Sequence, residues 1–336
     1  MYNNYRYFVV FNTIYTTIVT IFGYSGKVII PAEINGHKVT KICDGAFKDS
    51  QISLIEFGTP DNIYYIGISA FHNCVNLEKI DIPNIKYIFA NTFENCINLS
   101  EVNIPQSVIQ INKFAFKNCG LNNIVIPGGV KNIESNAFSD CPYLKNVTIS
   151  EGVEKIGWAA FEKTTLETVN IPSSVKRIET YAFNECRNLK NVTISDGVEI
   201  IGYSAFAKTA LETVCIPSSV QSVGSYAFNK CKELKNVVIS EGVIQFGMFA
   251  FSETALEKVI IPSSVQYISS LIFFNCDNLK EVTFKFNNPK YYMNDLFMEC
   301  DNNIILFVPS EAVDLYFNWL PQDSNVTIYE INNEEG

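Results

Sequence analysis

A phenylalanine recurs every 22 to 24 residues over most of this sequence. It stands at twelve positions, which are Phe47, Phe71, Phe93, Phe116, Phe138, Phe161, Phe183, Phe206, Phe228, Phe251, Phe273 and Phe297. A fixed period of this length is the signature of a repeat architecture, in which a single repeat cannot bury its own apolar side. We therefore expect a solenoid of stacked coils.

The residues around each phenylalanine are equally regular and follow the pattern L-x-x-V-x-I-(P/S)-x-x-V-x-x-I-G-x-x-A-F-x-x-(C/T). The V-x-I segment has the period of two that is typical of a strand with one buried face. Pro or Ser with the two following residues forms a turn. The segment V-x-x-I-G then forms the second wall of the coil. We expect A-F to fill the interior at a short 3-10 or helical corner. Counting these segments predicts thirteen strands, from Ser25–Ile30 to Asn303–Val308.

From Leu144 onward the period covers two coils. The segments Leu144–Cys186, Leu189–Cys231 and Leu234–Cys276 are near copies of one another. Within each of them one coil ends F-x-x-T and the next ends F-x-x-C. This pattern indicates tandem duplication of a pair of coils.

The two ends of a solenoid need caps, because raw sheet edges aggregate. Tyr7–Ile21 is strand-like, Ser310 is a favourable N-cap for a short helix, and Asn325–Ile331 could add a last strand. We predict one continuous domain with three parts: an N-terminal cap with an atypical first coil in 1–51, tandem repeats in 52–302, and a cap strand, short helix and polar tail in 303–336.

The composition excludes several classes of protein. A hydrophobic fraction of 47% and a charged fraction of 18% favour a folded chain. A net charge of −10 argues against nucleic acid and anionic lipid as partners. No apolar stretch reaches the roughly 18 residues of a membrane span, and Phe8–Phe11 is too short for a secretory signal. Either the chain is not exported by the usual route or a signal was removed; the sequence leaves both open.

The repeat resembles the BspA-like, or Treponema pallidum-type, leucine-rich repeat, L-x-x-L-x-L-P-x-x-L-x-x-I-x-x-x-A-F-x-x-C. The match extends over roughly residues 20–320 and includes Val28–Pro31 at the first repeat and Phe307–Pro309 at the last. The resemblance implies a right-handed curved solenoid, with a parallel sheet on its concave side and short second strands on its convex side. It also implies a cell-surface or secreted protein, since several members adhere to host matrix proteins.

The cysteines indicate buried corner residues. Eight of the ten share one repeat position: Cys74, Cys96, Cys119, Cys141, Cys186, Cys231, Cys276 and Cys300. Thr164, Thr209 and Thr254 take this position in other coils, which indicates a small, partly polar site. No C-x-x-C pair suggests zinc, and from Cys141 to Cys276 equivalent cysteines lie two coils, about 10 Å, apart, beyond disulfide reach. We predict reduced, buried thiols, with Cys215 exposed on a strand.

Nothing in the sequence indicates catalysis. His37 and His72 are the two histidines, and neither has a Ser or Cys nucleophile at a known motif spacing. There is no G-x-G-x-x-G, no Walker loop and no H-E-x-x-H. We therefore predict no enzyme activity, no cofactor and no metal site.

The strand face is the predicted binding surface. Its outward residue inside V-x-I changes from Glu56 and Asp81 near the start to Val238, Ile260 and Phe307 near the end. Exposed apolar residues in a row are typical of a contact patch, although β-branched residues also simply suit strands. We predict that Val238, Ile260 and Phe307 bind a protein partner, with Lys235, Glu257 and Lys280 as the rim.

Two functions stay open on the sequence alone. The first is a non-enzymatic protein-binding module at the cell surface, which would bind host or matrix proteins through its concave sheet. The alternative is an intracellular scaffold or a self-assembling structural rod in the cytoplasm. The repeat encodes neither the identity of the partner nor the oligomeric state.

Overall fold

The computed structural model describes residues 7–12, 15–21, 25–287, 295–318, 320 and 325–331. These residues form a parallel-strand β-solenoid with little helix, as predicted. The chain divides into two compact units, Met1–Leu166 and Glu167–Gly336, which are described separately. The predicted organisation as one continuous domain with two caps stays a prediction.

The first unit begins with an antiparallel hairpin, Tyr7–Asn12 with Tyr15–Ile21. Its second strand continues in parallel with His37–Ile42. The leading strands of the coils are Ser25–Ile30, Gln51–Phe57, Lys79–Asp81, Glu101–Asn103, Asn123–Ile126 and Asn146–Ile149. The second wall holds Glu33–Ile34, His37–Ile42, Tyr65–Ile66, Tyr87–Ile88, Gln110–Ile111, Asn132–Ile133 and Lys155–Ile156, and Pro60–Asn62 is a 3-10 helix. The strand-like N-terminal segment therefore pairs with the first coil, as its predicted capping role requires.

The second unit has the same plan. Its leading strands are Thr168–Ile171, Asn191–Ile194, Thr213–Ile216, Asn236–Ile239, Lys258–Ile261, Glu281–Phe284 and Ile304–Val308, followed by Val326–Glu330. Its second wall holds Arg177–Ile178, Ile200–Ile201, Ser222–Val223, Gln245–Phe246 and Tyr267–Ile268. Together the two units contain a leading strand at each of the thirteen predicted positions.

The leading strands pair in parallel and in register because each has one apolar face. In Thr168–Ile171 the side chains of Val169 and Ile171 are buried, whereas Asn170 between them is exposed. Val169 and Ile171 pair with Val192 and Ile194 of the next coil. A slip by one residue would expose this apolar set, so burial fixes the register.

The third corner of each coil is a chain of turns, where a 3-10 or helical turn was expected. Each corner from Phe47 to Phe273 contains two residues in the left-handed region, such as Ala159 (φ 51°) and Lys163 (φ 57°), and this interrupts any helical run. Alternate N–H groups bond within the corner, as from Ala160 to the Gly157 carbonyl at 3.2 Å. The others donate to the next coil, as from Phe138 to the Ala160 carbonyl at 2.8 Å. The corners therefore form a third hydrogen-bonded wall.

The repeated phenylalanines stack along the interior. In the first unit the rings from Phe47 to Phe161 lie 5.1–5.4 Å apart between centroids and are nearly parallel. In the second unit the rings from Phe183 to Phe297 lie 5.3–6.1 Å apart. Apart from Phe297, which is half-buried, these side chains are fully buried. One residue from each coil thus builds an aromatic column inside each unit.

Cys and Thr at the ends of the coils both donate to buried phenylalanine carbonyls. The Cys231 thiol donates to the Phe206 carbonyl of the preceding coil at 3.2 Å. The Thr209 hydroxyl donates to the same carbonyl, in its own coil, at 2.9 Å. Each residue is small and carries one donor, so each finds a hydrogen-bond partner in the interior.

All ten cysteines lie among the described residues and are free thiols. Seven of the eight at the repeat position are buried, and Cys300 is half-buried because it ends the series. Burial raises the pKa of Cys231 and of Cys74 to about 11, so both thiols are neutral at physiological pH. Cys215 is exposed, as predicted, and Cys43 is half-buried.

The two-coil period has a physical cause in the turn after the leading strand. Gly197 has φ 135°, and its N–H donates to the Ser219 hydroxyl of the next coil at 2.8 Å. That hydroxyl donates in turn to the Val198 carbonyl at 2.8 Å. A Cβ at Gly197 would lie 2.0 Å from the Ser173 carbonyl oxygen of the preceding coil. A coil with this glycine therefore fits between coils that carry Pro-Ser-Ser, and the two types alternate.

The C-terminal cap confirms two predictions and corrects a third. Val326–Glu330 adds the predicted last strand, in parallel with Ile304–Val308. A short helix is present, as Ser310–Ala312 (3-10) followed by Val313–Phe317 (α). Ser310 as the N-cap is wrong.

The helix begins without a side-chain cap. Pro309 and Ala312 occupy the two N-cap positions, and the Ser310 hydroxyl bonds to Glu311 Oε2 at 3.2 Å. Packing holds the helix in its place, since Tyr316 is fully buried and donates its hydroxyl to the Phe286 carbonyl at 3.1 Å. The predicted polar tail, 332–336, lies outside the described residues.

Candidate partner-binding face

The outward position of the leading strands forms a row of side chains on the second unit. Val238 is 61% exposed and Ile260 is 52% exposed, at the same repeat position in successive coils whose strands are in contact. Strand pairing places Cys215 beside Val238, and Ile260 in register with Thr283 and then Phe307. The structure thus brings the three predicted site residues into one row on one face.

The row continues one strand beyond the predicted residues. Tyr329 pairs with Phe307, their ring centroids are 6.1 Å apart, and Tyr329 is 52% exposed. Phe307 is half-buried as a result. The prediction missed Tyr329, although the alternation in Val326–Glu330 carried the signal for an outward aromatic residue. The apolar row therefore ends in two adjacent aromatic rings.

Two ion pairs lie in and beside the predicted rim. Lys280 Nζ lies 3.8 Å from Glu257 Oε2, and more than half of each side chain is exposed. In the adjacent column, Lys258 Nζ lies 2.8 Å from Glu281 Oε2. Lys235 is exposed directly before the strand Asn236–Ile239. Exposed pairs of this kind are worth only about 0–1 kcal/mol each, so the rim shapes the electrostatic surroundings of the row more than it stabilises the coil.

The same face of the first unit is polar at its start. Lys27 Nζ lies 2.7 Å from Glu56 Oε1, and Lys79 Nζ lies 3.1 Å from Glu101 Oε2. A groove there is lined by polar groups, Asp81 among them. Exposed apolar residues of the outward column in this unit are Ile29 and Val125, which occur singly between polar ones. Adjacent apolar residues in the outward column thus belong to the second unit, as Val238 with Ile260 and, beyond Thr283, Phe307 with Tyr329.

The described residues contain no group of three or more His, Cys, Asp and Glu side chains placed to hold a metal ion. His72 is half-buried with its Nδ1 3.3 Å from Glu94 Oε2, whereas His37 is exposed at the start of a strand rather than in a turn. Among the helices in the described ranges, none has the length and apolar character needed to cross a bilayer.

A family model for the BspA type leucine rich repeat region matches residues 27–144, 109–232 and 199–318, which overlap and together span most of the chain. The chain belongs to this family. The resemblance in the repeat consensus is therefore confirmed. A comparison with curated proteins finds no match.

Solved structures of bacterial leucine-rich-repeat proteins have the same fold as this BspA-type chain. A leucine-rich repeat protein from Bacteroides ovatus is 22% identical with a TM-score of 0.62, over 99% of both chains. A leucine rich cell surface protein from Faecalibacterium prausnitzii is 24% identical with a TM-score of 0.58, over 96% of this chain and 98% of that one. The pneumococcal vaccine antigen PcpA is 21% identical with a TM-score of 0.58, over 98% of both. At this level of identity the likeness shows the fold alone.

Proposed function

We propose that this BspA-type protein is a non-enzymatic binding module, which holds a protein partner on the strand face of its second unit. Val238, Ile260 and Phe307 form the centre of the contact, and Lys235, Glu257 and Lys280 form its rim. The observation that carries the proposal is the row of exposed apolar side chains. Interface centres favour such groups, because their desolvation on binding is favourable while a polar rim excludes water.

The rest of the face supports this location for the contact. Lys280 pairs with Glu257 in the rim and Lys258 pairs with Glu281 beside it, so a partner that covers this part of the row leaves both ion pairs intact. Tyr329 extends the centre with a second exposed ring beside Phe307. Aromatic residues are enriched among the side chains that dominate binding energy.

The proposed setting is the cell surface, with host or matrix proteins as partners. It rests on the family resemblance and on the description of one protein with the same fold, from Faecalibacterium prausnitzii, as a cell surface protein. Surface labelling of intact source cells tests the setting. A protein labelled only after cell lysis would favour the alternative, an intracellular scaffold or self-assembling rod.

The contact is tested with one disruptive variant and one matched control. Wild type, Ile260→Asp and Asp81→Lys are passed over immobilised purified extracellular-matrix proteins, and affinity is measured by biolayer interferometry. Ile260→Asp places a charge in the centre of the row and should weaken binding at least tenfold. Asp81→Lys changes an exposed residue at the equivalent position of the first unit and should leave affinity unchanged.

Both substitutions lie on exposed strand positions, so thermal unfolding followed by circular dichroism should give the wild-type midpoint. Equal affinity of Ile260→Asp and wild type would contradict the site. Concentration-dependent polymerisation of wild type in sedimentation, with no binding to any matrix protein, would favour the rod.

A further inference from the structure

The last strand of the second unit, Val326–Glu330, has one unpaired edge, which we name the terminal edge. On its inner side the strand pairs in parallel with Ile304–Val308. On its outer side no strand of the described residues pairs with it. An open sheet edge presents a row of free N–H and C=O groups that can pair with another extended chain.

The alternation of the strand shows which backbone groups face the terminal edge. The Ile331 N–H donates to the Val308 carbonyl of the inner partner at 2.8 Å. Because alternate residues of a strand bond to the same side, the odd-numbered residues use the inner side. The N–H and C=O groups of Val326, Ile328 and Glu330 point outward, and within the described part of the chain they make no hydrogen bond. The edge therefore offers three donors and three acceptors.

The side chains of this strand leave apolar surface that a further strand would cover. Val326 and Ile328 lie opposite Ile304 and Leu306, which are fully buried. Val326 and Ile328 themselves are only half-buried, since no described strand lies beyond them. Removal of their remaining apolar area from water would favour the addition of a strand.

The charge at this end of the chain selects a basic occupant. Residues 287–336 contain one Lys and nine Asp and Glu, a net charge of −8. The rest of the chain therefore carries only −2 of the total of −10. Glu330 lies on the edge strand, Asp314 lies on the helix Val313–Phe317 that contacts this strand, and both are exposed. The field around the terminal edge attracts cationic segments and repels anionic ones.

We propose that the terminal edge binds a basic, extended peptide segment of a partner protein, which adds to the sheet as a further strand. In this mode of recognition the main-chain hydrogen bonds supply affinity and alternate side chains supply specificity. The pattern of the edge calls for apolar side chains opposite Val326 and Ile328 and for Lys or Arg opposite Glu330. The contact goes beyond the proposed strand-face site, because it uses the backbone edge and not the outward row.

Other occupants fit the terminal edge less well. An α-helix has its own backbone groups bonded internally, so it has none to offer to the free N–H and C=O groups. Two copies of the chain that met through this edge would bring together two regions that each carry a charge of −8. Nucleic acid is repelled for the same reason. A basic strand satisfies both the backbone groups and the charge.

The test uses the full chain and a labelled peptide, Lys-Thr-Val-Thr-Val-Thr-Lys. Its odd positions share one face, so either strand direction places Val, Val and Lys opposite Val326, Ile328 and Glu330. Fluorescence anisotropy gives its affinity for wild type, Ile328→Pro and Ile328→Val. Proline removes an N–H that faces outward and leaves the inner ladder intact, so Ile328→Pro should weaken binding at least tenfold. Ile328→Val keeps this N–H and should bind like wild type.

Two further measurements separate strand pairing from charge. The peptide is N-methylated at positions 3 and 5, or at positions 4 and 6, which blocks one or the other alternate set of amides. A strand turns only one set towards the edge, so one methylated peptide should lose at least tenfold in affinity and the other should not. Glu330→Lys should weaken the unmethylated peptide and should bind a version with Glu at both ends more tightly than wild type does.

Equal affinities of the two methylated peptides, or wild-type affinity in Ile328→Pro with a wild-type melting curve, overturn the proposal. The methylated peptides decide on wild type alone if Ile328→Pro does not fold. Self-association of wild type in sedimentation that is lost in Ile328→Pro, while the peptide fails to bind, assigns the edge to a second copy and also overturns the proposal. Ile260→Asp should bind the peptide like wild type, which keeps this result distinct from that for the strand-face site.

Discussion

Truncation of one interior phenylalanine tests the stacking that holds the second unit together. Phe206 is fully buried, and its ring stacks between those of Phe183 at 5.3 Å and Phe228 at 5.6 Å. Phe206→Ala removes a buried ring that stacks on the rings of both neighbouring coils. Truncation of a buried Phe to Ala typically costs about 3–5 kcal/mol, because the lost transfer free energy adds to the cost of a cavity.

The cost should lie near the upper end of that range, since each lost aromatic contact is worth about 0.5–1.5 kcal/mol beyond burial. Phe297 is the internal comparison. It is half-buried, and in the described part of the chain it stacks on Phe273 alone, at 6.0 Å. Phe297→Ala should therefore cost about 1–2 kcal/mol, from the smaller area removed from water.

Urea unfolding followed by circular dichroism measures both costs. Repeat proteins depart from two-state behaviour, so hydrogen exchange should accompany it and locate the loss of protection. Phe206→Ala should lose protection in its own coil and in the two neighbouring coils. An unchanged unfolding midpoint for Phe206→Ala, or a larger loss in Phe297→Ala, would refute the stacking argument.

Two further predictions concern the turns and the thiols. Gly197→Ala should cost about 1–3 kcal/mol in thermal unfolding, because its Cβ would lie 2.0 Å from the Ser173 carbonyl at φ 135°. A Cβ at Gly26 would meet open space, so Gly26→Ala should cost less. Equal costs for the two variants would contradict the close approach of Gly197 to the preceding coil. Burial raises the pKa of Cys231 and of Cys74 to about 11 from 9.0, so the native state keeps these protons longer than the unfolded state. The free energy of unfolding should therefore be steady to about pH 8 and fall between about pH 9 and 11, and thiol titration should count few groups in native protein and ten after denaturation.

The periodic features of the sequence predict what the structure repeats. Stacking forces equivalent residues into one column, so Phe206 or Val169 could be assigned to the interior from period alone. The left-handed conformation of the corners could not be predicted from the sequence. A residue such as Lys163 has positive φ, but only Gly or Asn at that position would have indicated it. The incorrect N-cap at Ser310 has a similar cause: tertiary packing of Tyr316 fixes the helix, and a local capping rule does not include it.

The candidate site was predictable only in part, for a related reason. Its residues were found because Val238 and Ile260 interrupt a polar column, which is visible in an alignment of the repeats with one another. Tyr329 was missed because the last strand departs from the consensus.

The difference between interior and surface columns also explains where specificity can reside in such a chain. The inward residues pack against neighbouring coils on both sides, so the stability of the solenoid restricts which residues can occupy these positions. The outward columns carry no such constraint, and a residue that costs stability there needs an offsetting gain. Asn136 occupies the left-handed corner position at little conformational cost, whereas Tyr226 and Phe249 occupy it at a cost. Tyr226→Asn should therefore raise the midpoint of thermal unfolding, because asparagine accepts left-handed backbone more readily than tyrosine does. An unchanged or lowered midpoint would show that the packing of the Tyr226 ring against Phe249, at 4.8 Å between centroids, outweighs the conformational cost.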